Sequence, residues 1–233
     1  MRVLLTLVPA LAIAACSPAG SATGSTSRDF TASGFDAVRV TGSDTVKIVR
    51  GDVASVVARG PADQLDRLEI RTDGTVLTIA RKSAVGMNRS SGAVVVTVTM
   101  PTIRAAEVMG SGDVSIDRAD GATFEGSVSG SADLTIADIR AASTKLRVSG
   151  SGNIDARGTT RVLSADVAGS GDLNAKELIA ETASIAVKGS GDAAAFARQS
   201  AAIAVSGSGN VTVGGTKQCT ISTKGSGEAR CTG

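Results

Sequence analysis

The sequence predicts an all-β fold: a single-stranded parallel β-helix, or β-solenoid, with rungs of about 20 residues closed by GSG(D/N) turns. Three observations carry the prediction. A glycine turn recurs at nearly constant spacing, a valine column precedes it, and the composition supplies a core of small and β-branched side chains. Reading from that valine, the copies are VMGSGDVSI, VSGSADLTI, VSGSGNIDA, VAGSGDLNA, VKGSGDAAA and VSGSGNVTV, with a last, degenerate TKGSGEARC. Their first glycines are Gly110, Gly130, Gly150, Gly169, Gly189, Gly207 and Gly225, spaced by 20, 20, 19, 20, 18 and 18 residues. With 28 Gly, 4 Phe and no Trp, Tyr or His, the chain lacks the aromatic anchors of a compact globule.

The elements follow in chain order. Residues 1–15 read as a lipoprotein signal peptide. Arg2 supplies the positive start, an apolar run over residues 3–12 is too short to span a bilayer comfortably, and Ile13-Ala14-Ala15-Cys16 resembles the bacterial lipobox. Cys16 is then the lipidated first residue of the mature protein, and Ser17 after it resembles lipoproteins sent on to the outer membrane. The alternative is an ordinary secretory signal cleaved after Ala15. Residues 16–28 comprise the lipidated cysteine and a Ser/Gly/Ala-rich tether, and the solenoid domain runs over residues 29–233.

Over residues 29–100 the repeat is blurred. Val38, Val40, Val46 and Ile48 flank Gly42-Ser43-Asp44, an eroded copy of the turn. Pro61 opens one short helical turn over residues 61–68, with Leu65 and Leu68 on one face. Asp73-Gly74 is a turn between strands at 69–71 and 76–80, a buried strand covers 93–100, and residues 83–92 form a mobile excursion.

From Val108 onward each copy reads strand, turn, strand. Val108, Val128, Val148, Val167, Val187 and Val205 form one inward column, and Leu146, Ala165, Ile185, Ile203 and Ile221 form another two residues earlier. After the turn, pairs such as Val114 and Ile116 or Leu134 and Ile136 repeat the alternation. Neither short strand buries its apolar face alone, so successive units stack at about 4.8 Å per rung. The corner needs positive φ and no Cβ crowding from neighbouring rungs, and glycine supplies both. On that basis Gly171→Val meets crowding and a costly φ together. Asp113, Asp133, Asn153, Asp172, Asp192 and Asn210 follow the corner and form a polar ladder that hydrogen-bonds the turn backbone.

The GSGD and GSGN turns, the preceding valines and the run FDAVRVTGSDTVKIVRG, then LTIA, then VVVTVTMPTI look like the head GIN domain family, from about Phe30 to the end. That family is described as putative auto-transporter adhesins, without a settled biochemical function. The resemblance implies a β-helical envelope domain and carries over no binding residue.

Composition bounds the chemistry. Without histidine, triads built on it and histidine-bearing zinc sites are excluded. The glycine turns precede strands and lack the Lys-Ser/Thr ending of a phosphate loop. With 24 basic and 22 acidic residues, net +2 and +1 once Arg2 is removed, no nucleic-acid groove is indicated. Two alternatives rest on the ladder. One is a polysaccharide-active β-helix enzyme, because aspartates one rung apart, such as Asp113 and Asp133, match the carboxylate separation of retaining glycosidases. The other is a calcium-binding solenoid, although each rung offers one Asp or Asn where calcium rolls offer ligands on both sides of each ion. The favoured reading is a non-enzymatic, lipid-anchored cell-envelope module for adhesion, interaction or scaffolding. It needs no cofactor or metal, and its partners are the membrane, through the anchor, and an envelope protein or glycan. The solenoid ends are the place for homo-oligomer contacts. Cys219 and Cys231 fall in inward columns on either side of the last turn. Once Cys16 is acylated they are an even pair in an oxidising compartment, so they are expected to form a disulfide.

Overall fold

The computed structural model describes residues 25–82 and 92–233. The signal peptide, Cys16 and most of the tether lie outside the described residues, as does the excursion over 83–91. What is described is nearly all strand, wound as parallel coils into a β-solenoid of about 6 turns.

The N-terminal part comprises β1 (Thr26–Phe30), β2 (Ala37–Gly42), β3 (Thr45–Arg50), β4 (Ser55–Gly60), α1 (Ala62–Leu65), β5 (Leu68–Asp73), β6 (Val76–Arg81) and β7 (Val95–Met100). Then come β8 (Ala105–Gly110), β9 (Val114–Ile116), β10 (Ala119–Gly130), β11 (Asp133–Gly150), β12 (Asn153–Gly169), β13 (Leu173–Gly189) and β14 (Ala193–Gly207). The chain closes with β15 (Val211–Gly214), β16 (Cys219–Gly225) and β17 (Ala229–Thr232).

From β8 onward the rungs stack in sequence order, in parallel and in register. Val108, Val128, Val148, Val167, Val187 and Val205 lie one above another and are all buried. The strands are longer than two short segments per copy. Strands β11 to β14 run from one glycine corner almost to the next and bend at a second corner without a turn motif. That bend is where the uneven spacing of the copies is absorbed: the register shifts between Ile136 and Ile139, between Asp155 and Arg157, and between Ala175 and Ile179. The core narrows as the rungs shorten. Leu134 and Ile136 fill one rung, whereas Ala193 and Ala195 occupy the matching places in the rung that opens with β14. Ile221 continues the inward column but is 43% exposed, because among the described residues no further rung covers the side chain.

The N-terminal stacking does not follow the chain. Strands β2 and β3 are sandwiched between the rung of β6 and β7 on one side and the rung of β8 and β9 on the other. Gly42 therefore stacks directly under Gly110, and the eroded turn is a true rung. Antiparallel strands close this end, with β5 against β6 and β1 against β4, which in turn pairs with β7. The β5–β6 hairpin turns at Gly74, where φ is +59°. β1 opens at Thr26, three residues before the expected domain start at Asp29. As an edge strand it packs only Phe30 against the core, so its remaining composition reads as tether. Helix α1 starts after Pro61 and buries Gln64 and Leu65. Behind it, the buried Asp44 carboxylate receives Arg81 through two nitrogens, Nε at 2.8 Å, while Arg81 Nη1 donates to Gln64 Oε1 at 2.6 Å. Asp44 holds the Arg81 guanidinium above its ordinary value, chiefly through that hydrogen bond.

Candidate functional site

The glycine corner divides its labour between its two glycines. The first of each pair, Gly110 to Gly225, has φ between +111° and +135°. Its carbonyl points along the solenoid axis, and in the middle rungs it accepts two N–H groups from the corner above. Gly150 O, for example, receives Ser170 N at 2.9 Å and Gly171 N at 3.0 Å. A Cβ on Gly169 would lie 2.2 Å from that same oxygen. The second glycine has no positive φ. The double penalty expected at Gly171 is therefore corrected: crowding applies there, and the costly φ belongs to Gly169. A Cβ at Gly171 would lie 1.9 Å from Gly152 O and 2.9 Å from the γ1 methyl of Val148. The valine column and the second glycine are thus one packing unit, with Val128, Val148, Val167, Val187 and Val205 each placing a γ1 methyl against the second glycine of the next corner.

Asp113, Asp133, Asn153, Asp172, Asp192 and Asn210 stack immediately after that corner, one per rung. Each side chain accepts the backbone N–H of its counterpart on the next rung. Asp113 Oδ1 receives Asp133 N (3.4 Å), Asp133 Oδ1 receives Asn153 N (3.2 Å), and Asn153 Oδ1 receives Asp172 N (3.0 Å). Asp172 Oδ1 then receives Asp192 N (2.8 Å) and Asp192 Oδ1 receives Asn210 N (2.6 Å). The two asparagines also donate Nδ2–H to the aspartate below, Asn153 to Asp133 at 2.9 Å and Asn210 to Asp192 at 3.2 Å. They interrupt what would otherwise be an unbroken row of like charges. Glu228 N donates to Asn210 Oδ1 at 3.2 Å, so the ladder extends one rung beyond the sequence assignment, into the degenerate last copy.

Beside the upper ladder lies an open groove of about 750 Å³. Asp172, Asp192 and Glu228 form its acidic side, Ala194 and Thr212 contribute to its lining, and Lys176 and Arg230 add positive charge. Ala194, Thr212 and Arg230 share one outward column, two residues after the ladder in successive copies, while Lys176 lies outside the copies and joins them through the stacking of the rungs. Oδ2 of both Asp172 and Asp192 has no hydrogen-bond or ion-pair partner among the described residues. No group of three or more His, Cys, Asp or Glu among the described residues is placed to hold a metal ion. The ladder offers carboxylates in pairs at most, such as Asp172 and Asp192, where calcium takes six to eight oxygens.

At the open end, Cys219 stacks on Ala201 and Cys231 on Val213. The structure joins the two cysteines as a disulfide with their Cα atoms 6.5 Å apart. The narrow rung is what lets opposite walls meet.

The family described as "Putative auto-transporter adhesin, head GIN domain" matches residues 34–216. The chain belongs to the head GIN domain family. Solved structures share the head GIN fold of this chain at low identity. A putative adhesin from Bacteroides fragilis is 20% identical, with a TM-score of 0.83 over 89% of this chain and 97% of that one. A putative adhesin from Parabacteroides distasonis is 21% identical, with a TM-score of 0.72 over 89% and 97%. A protein of the same organism titled a putative lipid binding protein is also 21% identical, with a TM-score of 0.70 over 90% and 96%. No curated protein matches the sequence. The family description and the names of these neighbours suggest an adhesion-like role for head GIN domains and a place at the cell surface or envelope.

Proposed function

We propose that this head GIN domain is a non-enzymatic module, tethered to the envelope through a lipidated Cys16 and by its Ser17 sorted to the outer membrane, which binds a glycan along the ladder face. The observation that carries the reading is the groove beside Asp172, Asp192 and Glu228. Free carboxylate oxygens recur there at about 4.8 Å per rung, next to the Thr212 hydroxyl and the Asn174 amide. Such a surface accepts and donates hydrogen bonds to a hydroxyl-rich chain without an aromatic platform.

A second reading, polysaccharide cleavage, is favoured by the same groove, because it sets carboxylates beside Lys176 and Arg230. Against it, every ladder aspartate already accepts a backbone N–H from the next rung, so its geometry is explained by the fold. One experiment separates the two. The full chain is titrated with envelope oligosaccharides by calorimetry, and the same mixtures are assayed for new reducing ends. Binding that is lost in Ala194→Trp, with no new reducing ends, is the expected result. Binding unchanged in Ala194→Trp overturns the groove, and reducing ends released by the wild type but not by Asp192→Asn establish the enzyme.

A further inference from the structure

The second corner carries a different chemistry from the ladder. Its bulges leave a separate groove of about 480 Å³, lined by small side chains at Ala142, Thr159 and Ala180 and by the guanidinium groups of Arg140, Arg161 and Arg198. The register places Ala142, Arg161 and Glu181 at matching positions on three successive rungs, with Arg198 at the bulge on the fourth. Arg161 and Arg198 thus stand one rung to either side of Glu181, about 10 Å apart at their bases. Ala142 leaves open the place that a long side chain fills in the next two rungs.

The charges here are not balanced, whereas several arginines elsewhere are paired. Arg39, Arg50, Arg104, Arg147 and Arg157 each have a carboxylate partner on a neighbouring strand or rung. At the second corner Arg118 and Arg140 share the single Asp138, at 3.2 and 3.0 Å. Arg161, Arg198 and Glu181 make no ion pair or hydrogen bond among the described residues. Four arginines therefore face two carboxylates, leaving two positive charges uncompensated around a groove with a small-residue floor. Packing gives no reason for this: all three groove arginines are exposed and hold no strand in register. On the opposite corner, by contrast, asparagines punctuate the like charges.

We propose that Arg140, Arg161 and Arg198 form a binding site for a dianionic phosphate group, free or esterified once. The guanidinium fork matches two phosphate oxygens at once, and a monoester carries about −1.5 to −2 charges at neutral pH, which the uncompensated pair offsets. The exposed Thr159 hydroxyl supplies a further donor. The shared chemistry has two sources, free phosphate and the esterified phosphate of a lipid headgroup. The site is independent of the ladder groove, which lies at the other corner.

The test titrates the full chain at constant salt with inorganic phosphate, with glycerol 3-phosphate and with glucuronate, following phosphorus-31 line broadening for the first two and calorimetry for all three. Both phosphates bind and glucuronate binds at least tenfold more weakly. Tighter binding of glycerol 3-phosphate assigns the site to an esterified headgroup, and equal binding assigns it to free phosphate. Arg161→Ala and Arg198→Ala each weaken phosphate binding about tenfold with an unchanged melting temperature, Arg161→Lys recovers part of the loss, and Arg147→Ala, whose side chain pairs with Asp166 outside the groove, has no effect. Glucuronate binding as tightly as phosphate, or phosphate binding equal in wild type, Arg161→Ala and Arg198→Ala, overturns the proposal.

Discussion

At the scale of the residue, the fold is decided by which atoms a Cβ would displace. Gly169→Ala forces a side chain into a positive φ and onto Gly150 O, while Gly171→Val drives a branched side chain into Gly152 O and the Val148 methyl. Both are expected to cost about 3 kcal/mol or more, whereas the exposed Ser170→Ala stays within about 0.5 kcal/mol. Thermal denaturation of the three variants checks this, and equal melting temperatures would remove the stacked corner. The asparagines of the ladder carry a second prediction. Asn153→Asp loses the amide donation to Asp133 and puts a carboxylate on five consecutive rungs. It is expected to lose about 1 kcal/mol at low salt, with the difference shrinking at high salt as the repulsion is screened. A loss that ignores salt would mean that the amide serves packing rather than charge. The recurrence of Gly and Asp/Asn was legible in the sequence. Which glycine bears the φ and which the contact was not, because that depends on where the previous rung's carbonyl points.

At the scale of the element, the two ends of the solenoid are finished by different means. The N-terminal end is closed by antiparallel strands and by the buried Asp44–Arg81–Gln64 network, which ties the β2–β3 turn to β6 and α1. Asp44→Ala leaves Arg81 without its carboxylate and is expected to cost about 3 kcal/mol in a denaturant titration. An unchanged midpoint would show that the network is dispensable. The C-terminal end carries the disulfide in place of antiparallel strands. Reducing it, or making Cys219→Ser, reopens a loop with a sequence separation of 12 and is expected to lose about 2–3 kcal/mol. Faster amide exchange should be confined to β16 and β17, because those strands have a neighbour on one side only. Two reactive thiols in unfolded, unreduced protein carrying Cys16→Ser would show that the bond does not form. The two columns of these cysteines could be read by aligning the copies. That the walls approach closely enough to join depends on the narrowing of the last rungs.

At the scale of the whole molecule, the solenoid is a rod with unlike corners, one an acidic ladder and the other rich in arginine. Among the described residues no helix is long and apolar enough to cross a membrane. Under the lipid-anchor proposal, Cys16→Ser is expected to move the protein from the membrane to the soluble envelope fraction, as fractionation and immunoblotting would show. A variant that stays with the membrane would refute lipidation at that cysteine.

The sequence by itself determined the class of fold, the rung length, the inward columns and the ladder, because a stacked repeat prints its own periodicity and each local choice is made again on every rung. Only the tertiary structure decided the order of the first rungs, with β2 and β3 slipped between β6–β7 and β8–β9. A rung's apolar pattern identifies it as a rung without naming its neighbours. The arginine groove was likewise beyond the sequence. Arg140, Arg161 and Arg198 belong to no motif, and they share a surface only because bulges and rung lengths set which side chains stand over which.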